Sequence, residues 1–192
     1  MDKNFFYIIR HGESLGNIGI SANPDPPLSP KGRVQAGLCA DYLVNEIPTA
    51  PQIISSPFQR AIQTAEFIAR KFDVKINLEP LLHEFYTETI FPKNYKHQSL
   101  RTIADSNPMI VGNYSDDTFL PAKFETRDEL KLRTVILRNS LMKMISTIES
   151  LVDAMCKVTL SQIPNCSVTK IRCVNNTFNL EYSSKNDFIP IP

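Results

Sequence analysis

Two short stretches carry the residue types that could do chemistry. Arg10-His11-Gly12 ends the apolar run Phe5-Phe6-Tyr7-Ile8-Ile9, and Arg60 follows Ser56-Pro57, just past the apolar Gln52-Ile53-Ile54-Ser55. A short apolar run bounded by glycine reads as a buried strand, and α/β proteins gather their ligands where such strands end. An imidazole beside a guanidinium suits a phosphate. The guanidinium is a fixed fork of donors that never titrates away, Gly12 lets the backbone approach, and Ser14 and Asn17 add uncharged contacts. Arg60 falls about one turn into a helix opened by Ser56-Pro57, so an anion there would meet the guanidinium and the helix N-terminus together. The alternatives are a capped strand end with a satisfied histidine and, for Arg60 taken singly, a surface arginine.

These residues need elements to hold them in place. After the first strand, Leu15 to Pro30 is rich in Gly, Asn, Ser and Pro and reads as a loop. Ser29-Pro30 then reads as an N-cap with proline in the first turn, opening a helix through Val34, Leu38 and Leu43 that Pro48 and Pro51 stop. Gln52 to Ser55 is a second strand, followed by a helix capped at Ser56-Pro57 with Ile62, Ala65, Phe67, Ile68 and Ala69 on its apolar side. Val74 to Leu78 alternates as a third strand. Residues 79–125 are proline- and aromatic-rich, with Tyr86, Phe91, Tyr95, Tyr114 and Phe119 and one helical piece near Gln98 to Ser106. So long and weakly periodic a segment reads as a cap or lid over the strand ends, inserted in a single domain spanning 1–192. From Glu125 the pattern turns helical through Leu130, Val135, Ile136, Leu137, Leu141, Met144, Ile145 and Ile148. It continues into Leu151, Val152 and Met155, about 30 residues without a break. Cys166 to Val174 and Thr177 to Tyr182 read as a closing hairpin around Asn175-Asn176, with a loose tail to Pro192. The fold class this predicts is α/β: three layers, a mostly parallel sheet and helices on both faces.

Composition narrows the function classes. The chain has 192 residues, 42% hydrophobic and 21% charged, with a formal charge of +1. That balance suits an ordinary globular domain, and no basic block of the kind that follows a nucleic-acid backbone stands out. There is no apolar run of about 18 residues to cross a membrane, and only five apolar residues precede Arg10, too few for a secretory signal. A cytoplasmic protein is expected. Cys39, Cys156, Cys166 and Cys173 lack a C-x-x-C pair and read as small buried hydrophobes. No metal-binding constellation is apparent and no cofactor is expected.

Between the two strand ends stands Asp25-x-x-Leu28-Ser29-x-x-Gly32-x-x-Gln35-Ala36. Together with Arg10-His11-Gly12 and Ser56-Pro57-x-x-Arg60-Ala61-x-Gln63-Thr64-Ala65, this set resembles the histidine phosphatase superfamily, which includes the phosphoglycerate mutases and many small phosphomonoesterases. Ile163-Pro164-Asn165-Cys166-Ser167-Val168-Thr169 is similar to the family's closing strand. The resemblance implies a phosphoglycerate mutase-like fold and a phosphomonoesterase acting on a small phosphorylated metabolite. His11 would attack phosphorus to give a phosphohistidine, while Arg10 and Arg60 would clamp the phosphoryl oxygens. Ser14 and Asn17 match the family's uncharged phosphate contacts. Leu82-His83-Glu84 resembles the segment that carries the general acid, which makes Glu84 the candidate to protonate the departing oxygen.

One part of the family's pattern is missing. The family carries a second catalytic histidine, followed by glycine, at the end of a buried strand after the long helix. This chain has three histidines, His11, His83 and His97, and the last two read as surface or loop residues. The long helical stripe fits a fusion of two helices near Glu149-Ser150, with a strand and its loop, roughly ten to twenty residues, absent between them. The alternatives are therefore a degenerate, non-catalytic member that binds phosphorylated molecules or a protein partner, and phosphoglycerate mutase activity. A phosphatase is preferred over a mutase because the chain is short and no mutase insertions are identifiable. If this chain is the whole protein, turnover without that donor should be weak.

Overall fold

The first helix begins as the sequence dictates. The Ser29 hydroxyl accepts the Gly32 N–H at 3.0 Å with Pro30 in the first position, and α1 runs Pro30–Glu46. It buries small residues, Gly32, Ala36, Cys39 and Ala40, together with Leu43. Val34, expected on the apolar side, is 63% exposed, because the close packing of α1 selects its small-residue face.

These elements belong to a computed structural model that describes residues 4–115, 120–144, 163–174 and 177–189. In chain order they are β1 (Asn4–Ile9), α1, β2 (Ile53–Ser55), α2 (Gln59–Phe72), β3 (Ile76–Leu78), a single 3-10 turn (Pro80–Leu82), α3 (Leu100–Asp105), α4 (Arg127–Met144), β4 (Val168–Val174) and β5 (Thr177–Lys185). The alternation of strand and helix is that of an α/β protein. Strands β2 and β3 pair in parallel, and an isolated bridge from Ile76 to Ile110 extends them. Strand β1 pairs antiparallel with β4, and β4 with β5. Among the described residues, parallel pairing is thus confined to the β2–β3 side, and β1 and β2 lie in separate sheets.

Several boundaries moved for identifiable reasons. Helix α2 starts at Gln59, not at Ser56-Pro57. Its cap residue is Phe58, which has no side-chain oxygen, and the Ser56 hydroxyl accepts only the Phe58 N–H at 3.4 Å. The acceptor for the Gln59 N–H is Asp25 Oδ1 at 2.7 Å, reaching in from the loop after β1. Strand β3 starts two residues late because the Val74 N–H is committed to Ala69 O at the end of α2. The tail, expected to be loose, packs as far as Ile189, with Phe188 stacked on Tyr42 at 4.5 Å between ring centres. The proposed helix junction near Glu149-Ser150, Cys156 and the Asn175-Asn176 turn lie outside the described residues.

The main core joins α1, α2 and the strands through Leu43, Ile53, Ile62, Ile68, Ile76 and Val168. Cys39 and Cys166 lie in it fully buried, and the hydrogen bond between their thiols, together with burial, pushes the Cys166 thiol far up. A second cluster of Phe58, Tyr86, Phe91 and Leu120 fastens the 79–125 segment to the start of α2. Each such side chain contributes roughly 1.5–3 kcal/mol of burial, and this one sits beside Arg60.

The end of β1 lies directly on the first turn of α1. A Cβ on Gly32 would sit 1.9 Å from Glu13 O, and one on Gly12 would sit 2.5 Å from Gly32 O. Both obstacles are backbone and cannot swing aside. Gly32→Ala is therefore expected to destabilise the fold by about 3 kcal/mol or more, read as a lower urea midpoint, whereas an unchanged midpoint would contradict this packing.

Candidate active site

Three elements bring three side chains together. His11 stands two residues past β1, Arg60 in the first turn of α2, and Glu84 just after the Pro80–Leu82 turn. The Arg60 Nε–H donates to His11 Nε2 at 3.2 Å, and Arg60 Nη2 donates to Glu84 Oε2 at 2.8 Å. The pairing of β1 with α2 is set one turn lower, where Gly12 N–H donates to Thr64 Oγ1 at 3.0 Å and the Thr64 hydroxyl donates to Arg60 O at 2.8 Å. Arg10 and His11 are anchored from the other side by the turn before β4. There Arg10 N–H donates to Ser167 O, Cys166 N–H donates to His11 O, and the Arg10 guanidinium donates to Ile163 O.

His11 is held as a neutral imidazole. Its Nδ1–H donates to Gly12 O at 2.7 Å, which leaves the lone pair on Nε2, the atom that faces Arg60. Burial, with the positive charges of Arg60 and Arg10 acting against the Gly12 hydrogen bond and the Glu84 charge, lowers its pKa from 6.5 to about 4. A largely enclosed imidazole in the field of two guanidiniums resists protonation.

Arg60, only 9% exposed, is held by more than its two site partners. Its guanidinium lies over the Phe58 ring, 5.1 Å from the centre, and 4.0 Å from Asp25 Oδ1. Asp25 in turn meets His97 Nε2 at 2.8 Å. His97 and His83, expected as surface or loop residues, both lie in irregular segments, but their side chains are only 4% and 3% exposed. His97 is buried by its pairing with Asp25 and by its edge-on contact with Phe58; His83 is buried against Glu125. Asp25 belonged to the motif the sequence offered, without a role. His97, Glu125 and Arg133 carried no such signal: His97 meets Asp25 across 72 residues, and Glu125 and Arg133, eight apart, reach His83 across 42 and 50.

The remaining expected site residues are placed differently. The Ser14 hydroxyl accepts Asn17 N–H at 3.2 Å, and Asn17 Oδ1 accepts Ser14 N–H at 3.0 Å. Asn17 Oδ1 also accepts from Asn165 Nδ2 at 3.2 Å. These two residues brace the loop after β1, while His11 and Glu84 both contact Arg60.

The sequence profile of the histidine phosphatase superfamily (branch 1) matches residues 6–136, well over half of the chain. The chain belongs to the histidine phosphatase superfamily. Its fold is phosphoglycerate mutase-like. It superimposes on the ecdysone phosphate phosphatase of Bombyx mori with a TM-score of 0.70 at 16% identity, covering 94% of this chain and 92% of that one. It superimposes on a phosphoglycerate mutase of Bacillus anthracis at 0.62 and 17% identity, covering 98% and 96%. By sequence, it is 28% identical over 142 residues to the transcription factor tau 55 kDa subunit of Saccharomyces cerevisiae, covering 69% of this chain and 33% of that protein. The chain thus spans about a third of the length of that curated relative. No helix among the described residues is long and apolar enough to cross a membrane.

The lowered pKa of His11 has a definite sign. Unfolded chains take up the proton near 6.5 and the folded chain only near 4, so His11 lowers stability as the pH falls through that window and contributes nothing above it. In an NMR titration the His11 ring should show a midpoint about 4, and a midpoint near 6.5 would contradict the burial and the Arg60 contact.

Proposed function

We propose that this histidine phosphatase superfamily member is a phosphomonoesterase for small phosphorylated metabolites, working through a phosphohistidine on His11. The observation that carries the reading is the orientation of His11: Nδ1–H is fixed on Gly12 O, and the Nε2 lone pair faces a guanidinium suited to phosphoryl oxygens. An incoming phosphate would take over the Arg60 donors now bound to Glu84, with Arg10 adding charge from the other side. His11 Nε2 then forms the bond to phosphorus as the ester P–O bond breaks, and Glu84 gives its proton to the departing oxygen. In the second half, water attacks phosphorus, Glu84 takes the water's proton, the P–N bond breaks, and phosphate leaves with His11 restored. Ser14 and Asn17 would turn towards the phosphate as further donors, and residues 79–125 would serve as the lid that selects the substrate. Two observations support the lid: the Phe58–Phe91 contact and the His97–Asp25 pair, which both tie that segment to the site.

A second reading, a phosphate-binding member with little turnover, is favoured by one specific observation. The sequence has no histidine after His97, and the described β1 and β2 lie in separate sheets, which fits loss of a strand between them that would have carried a second phosphate donor. Both readings share the pocket, so they part only on turnover.

With p-nitrophenyl phosphate, His11→Ala should lower kcat/KM by about 10³-fold or more, and Arg60→Ala by about 10²–10³-fold. Equal rates for His11→Ala and the unmodified chain would sink the enzyme reading. Calorimetric binding of phosphate or a sugar phosphate without any turnover would select the second.

A further inference from the structure

We infer that the half-buried Glu125–Arg133 ion pair is a positioning device for Glu84, fixing the backbone on both sides of it so that its carboxylate reaches the Arg60–His11 site. The inference rests on the reading of Glu84 as the acid. Arg133 pairs with Glu125 as a fork, Nε to Oε1 at 2.7 Å and Nη2 to Oε2 at 3.0 Å, and the two side chains are 12% and 6% exposed. What the pair does with its remaining capacity is specific. Arg133 Nη1 donates to Leu81 O at 2.7 Å and to His83 O at 3.0 Å. Glu125 Oε2 accepts Tyr86 N–H at 3.0 Å, and Glu125 N–H donates to Tyr86 O at 2.7 Å. Backbone groups of residues 81, 83 and 86 are thereby fixed around Glu84. His83, buried beneath, gives its Nδ1–H to Glu84 O at 2.7 Å, so the carbonyl of Glu84 is held as well.

A pair serving stability alone explains this poorly. Desolvating two charges offsets most of their attraction, and apolar residues of similar volume commonly stabilise as well or better. Here the further bonds of the pair go to one six-residue stretch, 81–86, whose Glu84 carboxylate is 41% exposed and is met by Arg60 and by the Phe85 N–H. Burial by itself would raise the Glu125 pKa, but the Arg133 fork and the Tyr86 N–H outweigh it and keep the carboxylate ionised. A connected path results: α4 holds Arg133, Arg133 holds the 81–86 backbone, and Glu84 at its centre meets Arg60 at 2.8 Å. Proton transfer to a departing oxygen tolerates little misplacement. Glu125 and Arg133 touch neither substrate nor reacting atoms; they are positioning residues.

The test separates placement of the acid from general stability by leaving group. A p-nitrophenolate departs without a proton, whereas an alkyl oxygen needs one. Arg133→Lys keeps the charge and loses the fork; Glu125→Gln keeps the shape and loses the charge. Each should lower kcat/KM on a simple alkyl phosphate by about 10–10²-fold and on p-nitrophenyl phosphate by less than about threefold, the pattern expected of Glu84→Gln in stronger form. Equal losses on both esters, or no loss on either, in variants whose thermal unfolding remains cooperative would overturn the inference. If one variant does not fold, the other decides. If the unmodified chain turns over neither ester, the enzyme reading fails and position alone judges the inference. Crystal structures of the two variants should then show Glu84 withdrawn from Arg60, and an intact 2.8 Å contact would overturn it.

Discussion

The charge on Arg60 is the constraint to which the rest of the site answers. Arg60 is only 9% exposed, so its surroundings must supply acceptors and a polarisable face for its guanidinium. They do so from four parts of the chain: His11 beyond β1, Asp25 in the following loop, the Phe58 ring at its own helix start, and Glu84 from the 79–125 segment. Asp25 serves twice, capping α2 at Gln59 while facing Arg60. The helix that positions the arginine is therefore capped by the loop that the arginine helps to hold. The same guanidinium donates to the His11 lone pair, which is one reason that imidazole resists a proton. One buried cation thus organises a neutral nucleophile candidate, an acid candidate and the docking of the segment above them.

Much of this was legible in the letters because it was local. Ser29-Pro30 announced the start of α1, and the apolar runs ending at Arg10 and Ser55 announced strands whose ends face a common site. Arg60 could be placed beside His11 because both follow short strands. What could not be read was non-local. The cap of α2 comes from Asp25, more than thirty residues upstream, so Ser56-Pro57 misled. His83 and His97 are loop residues, but their burial was hidden because nothing nearby in sequence announces Glu125 or Asp25 as their partners. Val34 looked like core because periodicity cannot tell that two helices in close contact prefer glycine and alanine between them.

The sheet raises the central biological question. Strand β1 finds its described partner in β4 and β2 finds its own in β3, which leaves the strand that carries the nucleophile candidate and the strand that leads into Arg60 joined through side chains, Thr64 and Arg60 above all, and not through a ladder. On the reading proposed here, a chain without a second histidine retains one face of the phosphate pocket, the face made of His11, Arg60 and Glu84. Binding depends on that face. The rate depends on how much of the transition-state charge the arginines can meet without the missing donor.

The measurement that bears most directly on the account is the site of covalent phosphate. Incubating the chain with an aryl phosphate, quenching in alkali to preserve phosphohistidine, and combining peptide mapping with phosphorus NMR reads both the residue and the nitrogen. The account predicts phosphate on His11 through Nε2, since Nδ1–H is held by Gly12 O. Phosphate on Nδ1, on another residue, or turnover with no covalent species at all would contradict it.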